Sequence, residues 1–318
     1  TTQSRLEAQR LKAPSRDCVL AATARIAPYI HHTPVLQSRS MNRLVGADLF
    51  FKCENFQKTG AFKARGAVNT VIQLSSDIES VVTHSSGNHG AALAWATSLR
   101  EMKSFVVVPT DASPFKRRNM ERYGATLIDC GQELESRESV LHDFLEKHDA
   151  TFIHPYDDAR IITGQGSATV ELLESECNVD QIWVPVGGGG LASGAILAAN
   201  GNVEVVCAEP VLARDAYLSI QTGYRQPPLP PVTIADGLRS SLGELNFGIL
   251  KAASTQVALA SEDSIIHAAR LVFEMMKIVI EPSAAVVVAA MLENPSLVAK
   301  RVGVILSGGN VPCPHEFG

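Results

Sequence analysis

The sequence predicts an α/β protein whose open, mostly parallel sheets carry helices on both faces. Short runs rich in valine and isoleucine alternate with segments of helical periodicity such as SEDSIIHAARLVFEMMKIV. Strands that alternate with helices run parallel, and strands that are apolar throughout are buried on both faces. Three of the predicted strands also end in glycine-bearing turns, at the sheet edge where such proteins bind ligands.

Nine segments satisfy the strand pattern, and helix-like segments separate most of them. In chain order the predicted strands are 47–54 (ADLFFKCE), 80–86 (SVVTHSS), 104–110 (SFVVVPT), 125–130 (ATLIDC), 151–156 (TFIHPY), 181–187 (QIWVPVG), 203–209 (VEVVCAE), 255–261 (TQVALAS) and 301–308 (RVGVILSG). The proline-rich segment QPPLPP at 226–231 is predicted to be a loop. No repeat period or low-complexity tract is present.

Composition and charge exclude several classes of function. The 318 residues are 46% hydrophobic and 19% charged, which is typical of a globular protein, and the length allows two domains. The net charge of −5 and the lack of a long Lys/Arg-rich run predict no nucleic-acid partner. The short basic cluster FKRRNMER at 115–122 is interpreted as one face of a helix.

The apolar segments and the cysteines predict a cytoplasmic protein with no membrane partner. The most apolar run, AAVVVAAML at 284–292, is too short to cross a bilayer. The polar segment 1–17 lacks the apolar core of a signal peptide. The six cysteines form no C-x-x-C pair, which predicts reduced thiols rather than a disulfide framework or a zinc site: Cys18, Cys53, Cys130, Cys177, Cys207 and Cys313.

The glycine turns after three strands predict a site for an anion. The three turns are SSGNHG, VGGGG and LSGGN. Glycine lets backbone amides approach an anion closely, and a following helix N-terminus adds partial positive charge. A tight strand–helix turn needs only one or two glycines, so four in a row predict a phosphate cradle: Gly187, Gly188, Gly189 and Gly190.

Two alternatives compete for this phosphate site. Glu209 lies about where the acid of a dinucleotide-binding fold meets a ribose hydroxyl, but Ser193 occupies the third glycine position of G-x-G-x-x-G/A. A non-catalytic nucleotide-binding protein is therefore the alternative from another class. Lys63 stands among small and apolar residues in TGAFKARGAVNT, which fits either a surface lysine or a desolvated amine. One phosphate, one such lysine and several polar turns fit pyridoxal 5′-phosphate (PLP) better.

The motifs FKARG, SSGNHG, VGGGG, AEPVLARD, IADGLRSSLG, EPSAA and LSGGN occur in the order found in fold-type II PLP enzymes. Over roughly residues 15–312 the chain resembles the serine racemase and serine/threonine dehydratase family, including 3-hydroxyaspartate dehydratase-like members. The resemblance implies a two-domain, tryptophan synthase β-like fold with PLP between the domains, and a homodimer. The large domain would comprise 1–69 and 157–318 and the small domain 70–156, with no C-terminal regulatory domain.

The resemblance assigns cofactor roles to residues of these motifs. Lys63 would form the Schiff base with PLP and remove the Cα proton, in agreement with the neutral amine that an apolar site favours. Ser86 would be the second acid/base, on the opposite face. The remaining cofactor contacts would come from the glycine turn at 187–190 together with Phe62, Asn88, Leu191, Glu281 and Ser307.

The resemblance also implies substrate and metal sites. Arg137 could bind a second substrate carboxylate with two hydrogen bonds, although by itself it would be interpreted as an exposed helix arginine. Substrate contacts would come from Ser85, Ser86, Asn88, His89, Arg137 and Ser240. Two carboxylates and a carbonyl suit Mg²⁺, or Ca²⁺ or Mn²⁺, and the implied ligands are Glu209, the Ala213 carbonyl and Asp215.

Ser307 favours a dehydratase over other PLP enzymes. As the implied partner of the pyridine nitrogen, a neutral hydroxyl cannot hold that nitrogen protonated as a carboxylate would, so negative charge at Cα is discharged quickly. We therefore predict an ammonia-lyase that converts a 3-hydroxy amino acid of the serine, threonine, 3-hydroxyaspartate or 3-phenylserine type to a 2-oxo acid and ammonia. The alternative is an amino-acid racemase that uses Lys63 and Ser86.

Two departures from the family pattern predict a larger pocket. Ala61 and Ala91 stand where members commonly carry serine and glutamine. Loss of these polar atoms near the expected site suggests tolerance for a bulkier β-substituent.

Overall fold

The computed structural model describes residues 13–230 and 232–312. In this part of the chain the strands are β1 Val35–Leu36, β2 Asp48–Cys53, β3 Ser80–His84, β4 Lys103–Pro109, β5 Ala125–Cys130, β6 Thr151–Phe152, β7 Gln181–Pro185, β8 Glu204–Pro210, β9 Gln256–Ala260 and β10 Arg301–Leu306. The α-helices are α1 Arg16–Ile26, α2 Arg39–Val45, α3 Lys63–Val71, α4 Asn88–Ser98, α5 Pro114–Arg122, α6 Leu134–Lys147, α7 Ala159–Glu174, α8 Gly190–Ala199, α9 Asp215–Thr222, α10 Glu244–Ala252, α11 Glu262–Met276 and α12 Pro282–Glu293.

The strands form two sheets, and the predicted α/β class is confirmed. The six-stranded sheet has the order β1-β2-β10-β7-β8-β9, and the four-stranded sheet has the order β5-β4-β3-β6. Every pairing is parallel except that of β1 with β2. Helices cover both faces of each sheet, because parallel strands need crossover connections that pack back onto the sheet.

Each of the nine predicted strands overlaps an observed strand, although β4 begins one residue earlier and β8 ends one residue later than predicted. The prediction for 151–156 is too long, since β6 covers only Thr151–Phe152. The sequence pattern missed β1, whose two residues pair with Phe51 and Lys52 at the antiparallel edge. A two-residue strand has no periodicity to detect.

The core of the larger sheet explains its apolar sequence. Helix α12 packs on one face and is buried continuously from Ser283 to Met291, so the AAVVVAAML run is an interior helix. Helix α8 packs against β7 and β8 on the other face. No helix within residues 13–230 and 232–312 has both the length and the hydropathy that a membrane span requires.

Glycines let the helix that carries Lys63 approach its neighbours closely. A Cβ at Gly164 of α7 would lie 2.6 Å from the Cα of Gly66 in α3, and a Cβ at Gly166 would lie 2.7 Å from the carbonyl oxygen of Gly194 in α8. Any larger residue would force these helices apart. This contact holds α3, which begins at Lys63, firmly against the rest of the fold.

A buried group of charged side chains, here called the Arg65 cluster, contains two cations and two anions. The Arg65 guanidinium donates to both carboxylate oxygens of Glu54 (2.7 and 2.8 Å) and of Glu171 (2.6 and 2.9 Å). Lys52 Nζ lies 2.6 Å from both Glu171 Oε2 and the Thr33 carbonyl oxygen. Each charge therefore has an opposite charge beside it.

Two further predictions concern the cysteines and the division into domains. Five cysteines carry free thiols, as expected, whereas Cys313 lies outside the described residues. Residues 1–12 and 313–318 of the predicted large domain also lie outside them. The domain boundaries at 69/70 and 156/157 stay a prediction.

Candidate active site

A cavity of about 590 Å³ lies where β3, β7 and β10 end. His84 ends β3 and Ser85–Gly87 follow it, Gly187–Gly190 follow β7, and Ser307 follows β10; all of them line the cavity. The structure thus brings together the ends of three strands that the sequence marks with glycine turns. The volume suits a small-molecule ligand or cofactor.

Every residue that the sequence suggested for cofactor or substrate binding lines this cavity. The set comprises the glycine turn at 187–190 with Phe62, Lys63, Ser85, Ser86, Asn88, His89, Arg137, Leu191, Ser240, Glu281 and Ser307. Their individual roles stay predictions. The three residues suggested for metal binding lie elsewhere.

Backbone hydrogen bonds hold Lys63 close to the turn after β10. Phe62 N donates to the Ser307 carbonyl at 3.0 Å, and Gly309 N donates to the Gly60 carbonyl at 2.9 Å. Gly60 adopts φ +75°, and a Cβ there would lie 2.5 Å from Asn310 Oδ1, so only glycine fits. The segment before α3 is therefore fixed against the last strand.

Lys63 is a partly buried amine that forms no ion pair with any carboxylate in the described part of the chain. Its Nζ donates to the Pro155 carbonyl at 2.8 Å and lies 5.3 Å from the centroid of the Phe62 ring. Burial lowers the pKa of Lys63 from 10.5 to about 8. A substantial share of the amine is therefore neutral near physiological pH, as a nucleophile or base requires.

His89 forms a second group with unused hydrogen-bonding capacity. It is buried, and neither ring nitrogen has a hydrogen-bond partner among the described residues. Burial, followed by the charge of Lys63, holds the pKa of His89 well below its usual value. A neutral imidazole at the cavity wall is thus free to bind a ligand.

The glycine turn is shaped by packing as well as by its cavity face. A Cβ at Gly188 would lie 2.3 Å from the Tyr156 ring, and a Cβ at Gly187 would lie 2.9 Å from Leu238 Cα. Gly189 has φ +93°. Each of these glycines has a local structural reason, so their number alone indicates less than the sequence suggested. What supports anion binding is that the turn lines the cavity and begins the ten-residue helix α8.

Hydrogen bonds of Ser85 and Asn88 hold the SSGNHG turn in place. Ser85 Oγ accepts hydrogen bonds from Gly87 N at 3.1 Å and Gly90 N at 3.0 Å, at the start of α4. Asn88 Nδ2 donates to Glu281 Oε1 at 2.6 Å, and Asn88 Oδ1 accepts from Asn310 Nδ2 at 2.9 Å. The side chain of Asn88 is therefore held from both ends.

Arg137 does not behave as an ordinary surface arginine. Its Nε is buried without a partner in the described residues, and one Nη donates to the Gln132 carbonyl at 3.4 Å. Burial, with the charge of Arg137, lowers the pKa of His84 at the cavity wall to about 4. The guanidinium thus has unused donors at the cavity, where a carboxylate could bind.

The structure contradicts the prediction made for Ala61 and Ala91. Neither side chain lines the cavity. Ala91 packs in a core cluster that includes Val106 and Met120, and Ala61 pairs with Gly308. Their small size fills interior positions in this chain and does not enlarge the cavity.

The residues suggested for metal binding form a separate acidic site. Glu209 accepts hydrogen bonds from Ala216 N and Tyr217 N, both at 2.8 Å, and Asp215 accepts from Leu242 N at 2.8 Å. This placement, away from the cavity, contradicts the interpretation of Glu209 as the ribose-binding acid of a dinucleotide site.

Burial makes this acidic site unfavourable without a cation. Burial, together with the neighbouring Asp215, raises the pKa of Glu209 well above its usual value, and burial raises that of Asp215 to about 6. Ala213 is buried in the same segment. Each carboxylate oxygen that accepts one backbone amide keeps a second lone pair, so this donor set fits a hard divalent cation.

Sequence analysis missed several ionisable groups of the cavity, among them Lys116 and Tyr156. Lys116, in the basic cluster at 115–122, is buried and contacts Asp236 and Glu281. Tyr156 lies against the glycine turn, and burial raises its pKa to about 12. The partners of Lys116 are distant in the chain, so no local sequence pattern indicates them. Tyr156, which precedes two aspartates, belongs to no recognisable motif either.

The cavity residues fit PLP. Lys63 supplies an amine with a lowered pKa, the glycine turn opens at a helix N-terminus, Ser307 offers a hydroxyl, and His89 retains unpaired nitrogens. Each group is of the kind that an aldehyde, a phosphate or a pyridine ring would need.

Comparisons with known proteins agree with this chemistry. The chain is 48% identical over 300 residues to a serine racemase of Dictyostelium discoideum, covering 91% of this chain and 93% of that one. It is 42% identical to a beta-hydroxyaspartate dehydratase of Paracoccus denitrificans (strain Pd 1222), covering 94% and 96%. The solved structure of maize serine racemase matches with a TM-score of 0.90 and 40% identity over 96% of this chain and 96% of that one. The family model of the pyridoxal-phosphate dependent enzymes matches residues 26–308 of the sequence, and the chain belongs to that family.

Proposed function

We propose that this chain is a PLP-dependent dehydratase that acts on a 3-hydroxy amino acid, with a 3-hydroxyaspartate as its preferred type of substrate. The observation that carries the proposal is the pairing of a lysine with a lowered pKa, Lys63, with the hydroxyl residue Ser307 in one cavity. Loss of water followed by hydrolysis of the released enamine would give a 2-oxo acid and ammonia.

Bound PLP would supply an electron sink for the pair released when the Cα–H bond breaks. The chain holds groups suited to orient it. The glycine turn and the N-terminus of α8 would bind the phosphate, Ser307 the pyridine nitrogen and Asn88 the phenolic oxygen. Phe62, Leu191 and Glu281 would complete the walls around the ring.

Lys63 and Ser86 would divide the proton transfers. With its pKa at about 8, the Lys63 amine can accept the Cα proton and hold it. Ser86, at the same cavity, would help to protonate the departing hydroxide. His89 would remain neutral and act as a hydrogen-bonding contact for the substrate carboxylate, because its depressed pKa opposes protonation.

Arg137 supports the choice of a dicarboxylic substrate. A second carboxylate could use the guanidinium donors that have no partner in the described residues, and charge-assisted hydrogen bonds are among the stronger contacts. Ser85, Ser86 and Ser240 would bind the α-carboxylate region. The relative named beta-hydroxyaspartate dehydratase supports this substrate class.

Racemisation of an amino acid is the second candidate function. It needs an acid or base on each face of the substrate, and Ser86 lies at the same cavity as Lys63. The relative with 48% identity, a serine racemase, favours this alternative.

Ammonia release and stereochemistry, measured with the same panel, separate the two functions. We would incubate the purified protein with PLP, Mg²⁺ and L-serine, L-threonine, both 3-hydroxyaspartate diastereomers or 3-phenylserine. Dehydration predicts ammonia and 2-oxo acid, fastest with one 3-hydroxyaspartate; racemisation predicts the opposite enantiomer without ammonia. R137Q should lower kcat/KM for 3-hydroxyaspartate by about 10²-fold or more and leave serine within about threefold, since a lost charged contact is worth about 3 kcal/mol. Equal losses for both substrates would contradict the dicarboxylic proposal.

Three further properties belong to the same proposal. Glu209, Asp215 and the Ala213 carbonyl would bind Mg²⁺, or Ca²⁺ or Mn²⁺, because two buried acids need a cation beside them. The protein would be a cytoplasmic homodimer whose only other partner is its amino-acid substrate. Free thiols at five cysteines agree with a reducing compartment.

A further inference from the structure

Lys116 connects elements of the two sheets beside the cavity. It lies on α5, the helix that follows β4 and precedes β5 of the four-stranded sheet along the chain. Its Nζ is 2.8 and 2.6 Å from the two carboxylate oxygens of Asp236 and 3.4 Å from Glu281 Oε2. Glu281 immediately precedes α12, which packs on the six-stranded sheet.

The path continues from Glu281 to Asn88. The two oxygens of Glu281 have different partners, since Oε2 faces Lys116 whereas Oε1 accepts the 2.6 Å hydrogen bond from Asn88 Nδ2. Glu281 does not cap its own helix with this side chain. Its carboxylate therefore bridges the Lys116 ammonium and the Asn88 side-chain amide.

Charge makes Lys116 necessary to this arrangement. Glu281 is 1% exposed, and burial raises its pKa, while the charge of Lys116 opposes that rise. Burial disfavours the Lys116 ammonium, but the carboxylates of Glu281 and Asp236 outweigh that effect and its pKa is raised. Without Lys116, Glu281 would be a buried carboxylate with no cation, and such a group takes up a proton. A protonated Glu281 is a weaker acceptor for Asn88.

The fold makes room for the Lys116 side chain. A Cβ at Gly87, directly before Asn88, would lie 2.6 Å from Lys116 Cδ. Gly87 has an extended backbone, φ 179°, which any residue can adopt, so its lack of a side chain serves this close approach. The glycine of the SSGNHG turn and the lysine of α5 are therefore matched in shape.

We propose that Lys116 is a positioning residue that keeps Glu281 ionised and thereby fixes the amide of Asn88 toward the cofactor. The part of this inference that concerns the cofactor rests on the proposed function. The part that concerns Glu281 and Asn88 does not, because it describes contacts of the protein alone.

Four variants separate positioning from simple packing. K116M removes the charge and keeps much of the side-chain volume, and K116R keeps the charge. K116M/E281Q removes the lysine together with the carboxylate that needs it; Asp236, whose side chain is 27% exposed, can be solvated. The matched control is R117M, one residue along the same helix, which breaks a more exposed ion pair with Asp129.

The first measurement is made without PLP. Protein labelled with ¹⁵N-asparagine gives side-chain amide signals, and the signal missing from N88S identifies Asn88. The proposal predicts that the Asn88 signal moves in K116M and stays near the wild-type position in K116R and R117M. An unchanged Asn88 signal in a folded K116M protein overturns the proposal.

The second measurement is the affinity for PLP, determined by equilibrium dialysis without substrate. K116M should bind PLP about tenfold more weakly, and K116M/E281Q should bind no more weakly than K116M, since residue 281 is already uncharged in K116M. Independent packing roles predict a further loss of affinity in K116M/E281Q, and that result overturns the proposal. Wild-type protein that binds no PLP would refute the proposed function instead, while the asparagine signals still decide the role of Lys116.

Discussion

The Arg65 cluster and the active-site cavity are both buried and both contain charged side chains, yet their charges are arranged in opposite ways. In the Arg65 cluster two cations face two anions at 2.6–2.9 Å. The cavity also holds the ion pairs of Lys116, but there Lys63 has only a carbonyl partner and His89 has none among the described residues. Removing one partner of a balanced group leaves a buried charge without compensation, whereas groups that lack partners from the start are free to react, which is where catalytic residues are expected.

The acidic pair Glu209 and Asp215 resembles the cavity rather than the Arg65 cluster. Its carboxylates accept hydrogen bonds from backbone amides, and burial raises both pKa values. Incomplete charge balance thus marks both places where we propose that something other than protein binds.

The largest expected effect comes from removing the unbalanced lysine. K63A should lower the rate of ammonia release by at least about 10²–10⁴-fold, because the base that accepts the Cα proton is lost. The free energy of unfolding should not fall, since no ion pair is broken. Steady-state ammonia release and urea unfolding check both statements.

K103A serves as the control for this variant, because Lys103 is exposed at the start of β4. It should leave both quantities close to wild type. If K63A retains more than about a tenth of wild-type activity, Lys63 is not the base.

The opposite result is expected for the balanced cluster. R65M should lower the free energy of unfolding by about 3–5 kcal/mol, because Glu54 and Glu171 are left with only Lys52 beside them. Urea unfolding of the PLP-free protein measures this loss. R117M, which breaks a pair with Asp129 at the surface, should cost at most about 1 kcal/mol. Equal losses of unfolding free energy in R65M and R117M would contradict the expected difference between the buried cluster and a surface ion pair.

A somewhat smaller effect is expected at the acidic pair. Mg²⁺ at about 100 times its dissociation constant should raise the free energy of unfolding by about 2.7 kcal/mol, since the ion binds only the folded site. D215N should abolish this increment. Thermal unfolding with Mg²⁺ or with EDTA provides the comparison, and Mg²⁺ stabilisation that survives in D215N would place the ion elsewhere.

A further effect is the pH dependence that Lys63 gives to stability. Its pKa is about 8 in the folded protein and near 10.5 when unfolded, so between these values the unfolded chain binds more protons. Stability of the PLP-free protein should therefore gain a rising contribution from about pH 8 to 10.5. The difference in unfolding free energy between wild type and K63M, followed over this range, isolates the contribution. A flat difference would show that the amine is not depressed.

Local sequence pattern was sufficient for the strands of both sheets, and the motif resemblance supplied the candidate cofactor and substrate residues that line the cavity. Strand ends in a parallel sheet lie at one edge, so the glycine turns after β7 and β10, which are neighbours in the six-stranded sheet, meet there. The turn after β3 belongs to the other sheet, and only the fold shows that it lines the same cavity. The motif order then identified Lys63, Asn88 and Ser307 as parts of one site.

Partners that are distant in the chain were beyond such patterns. Lys116 meets Asp236 and Glu281 at separations of 120 and 165 residues, and only the folded chain shows which charge of FKRRNMER turns inward. The prediction that Ala91 enlarges the pocket was wrong for a related reason. A helix residue near a pocket can face either the ligand or the core, and Ala91 faces the core. Side-chain direction, and not element type, is what the sequence left undetermined.

The contact between Tyr156 and Gly188 has a consequence for engineering the substrate range. Because a Cβ at position 188 would lie 2.3 Å from the ring, a mutant library that randomises 188 alone should yield almost no folded clones. Pairing each change at 188 with a smaller residue at 156 opens combinations that neither single-site library contains. The two positions therefore form one unit of sequence space, although they are far apart in the chain.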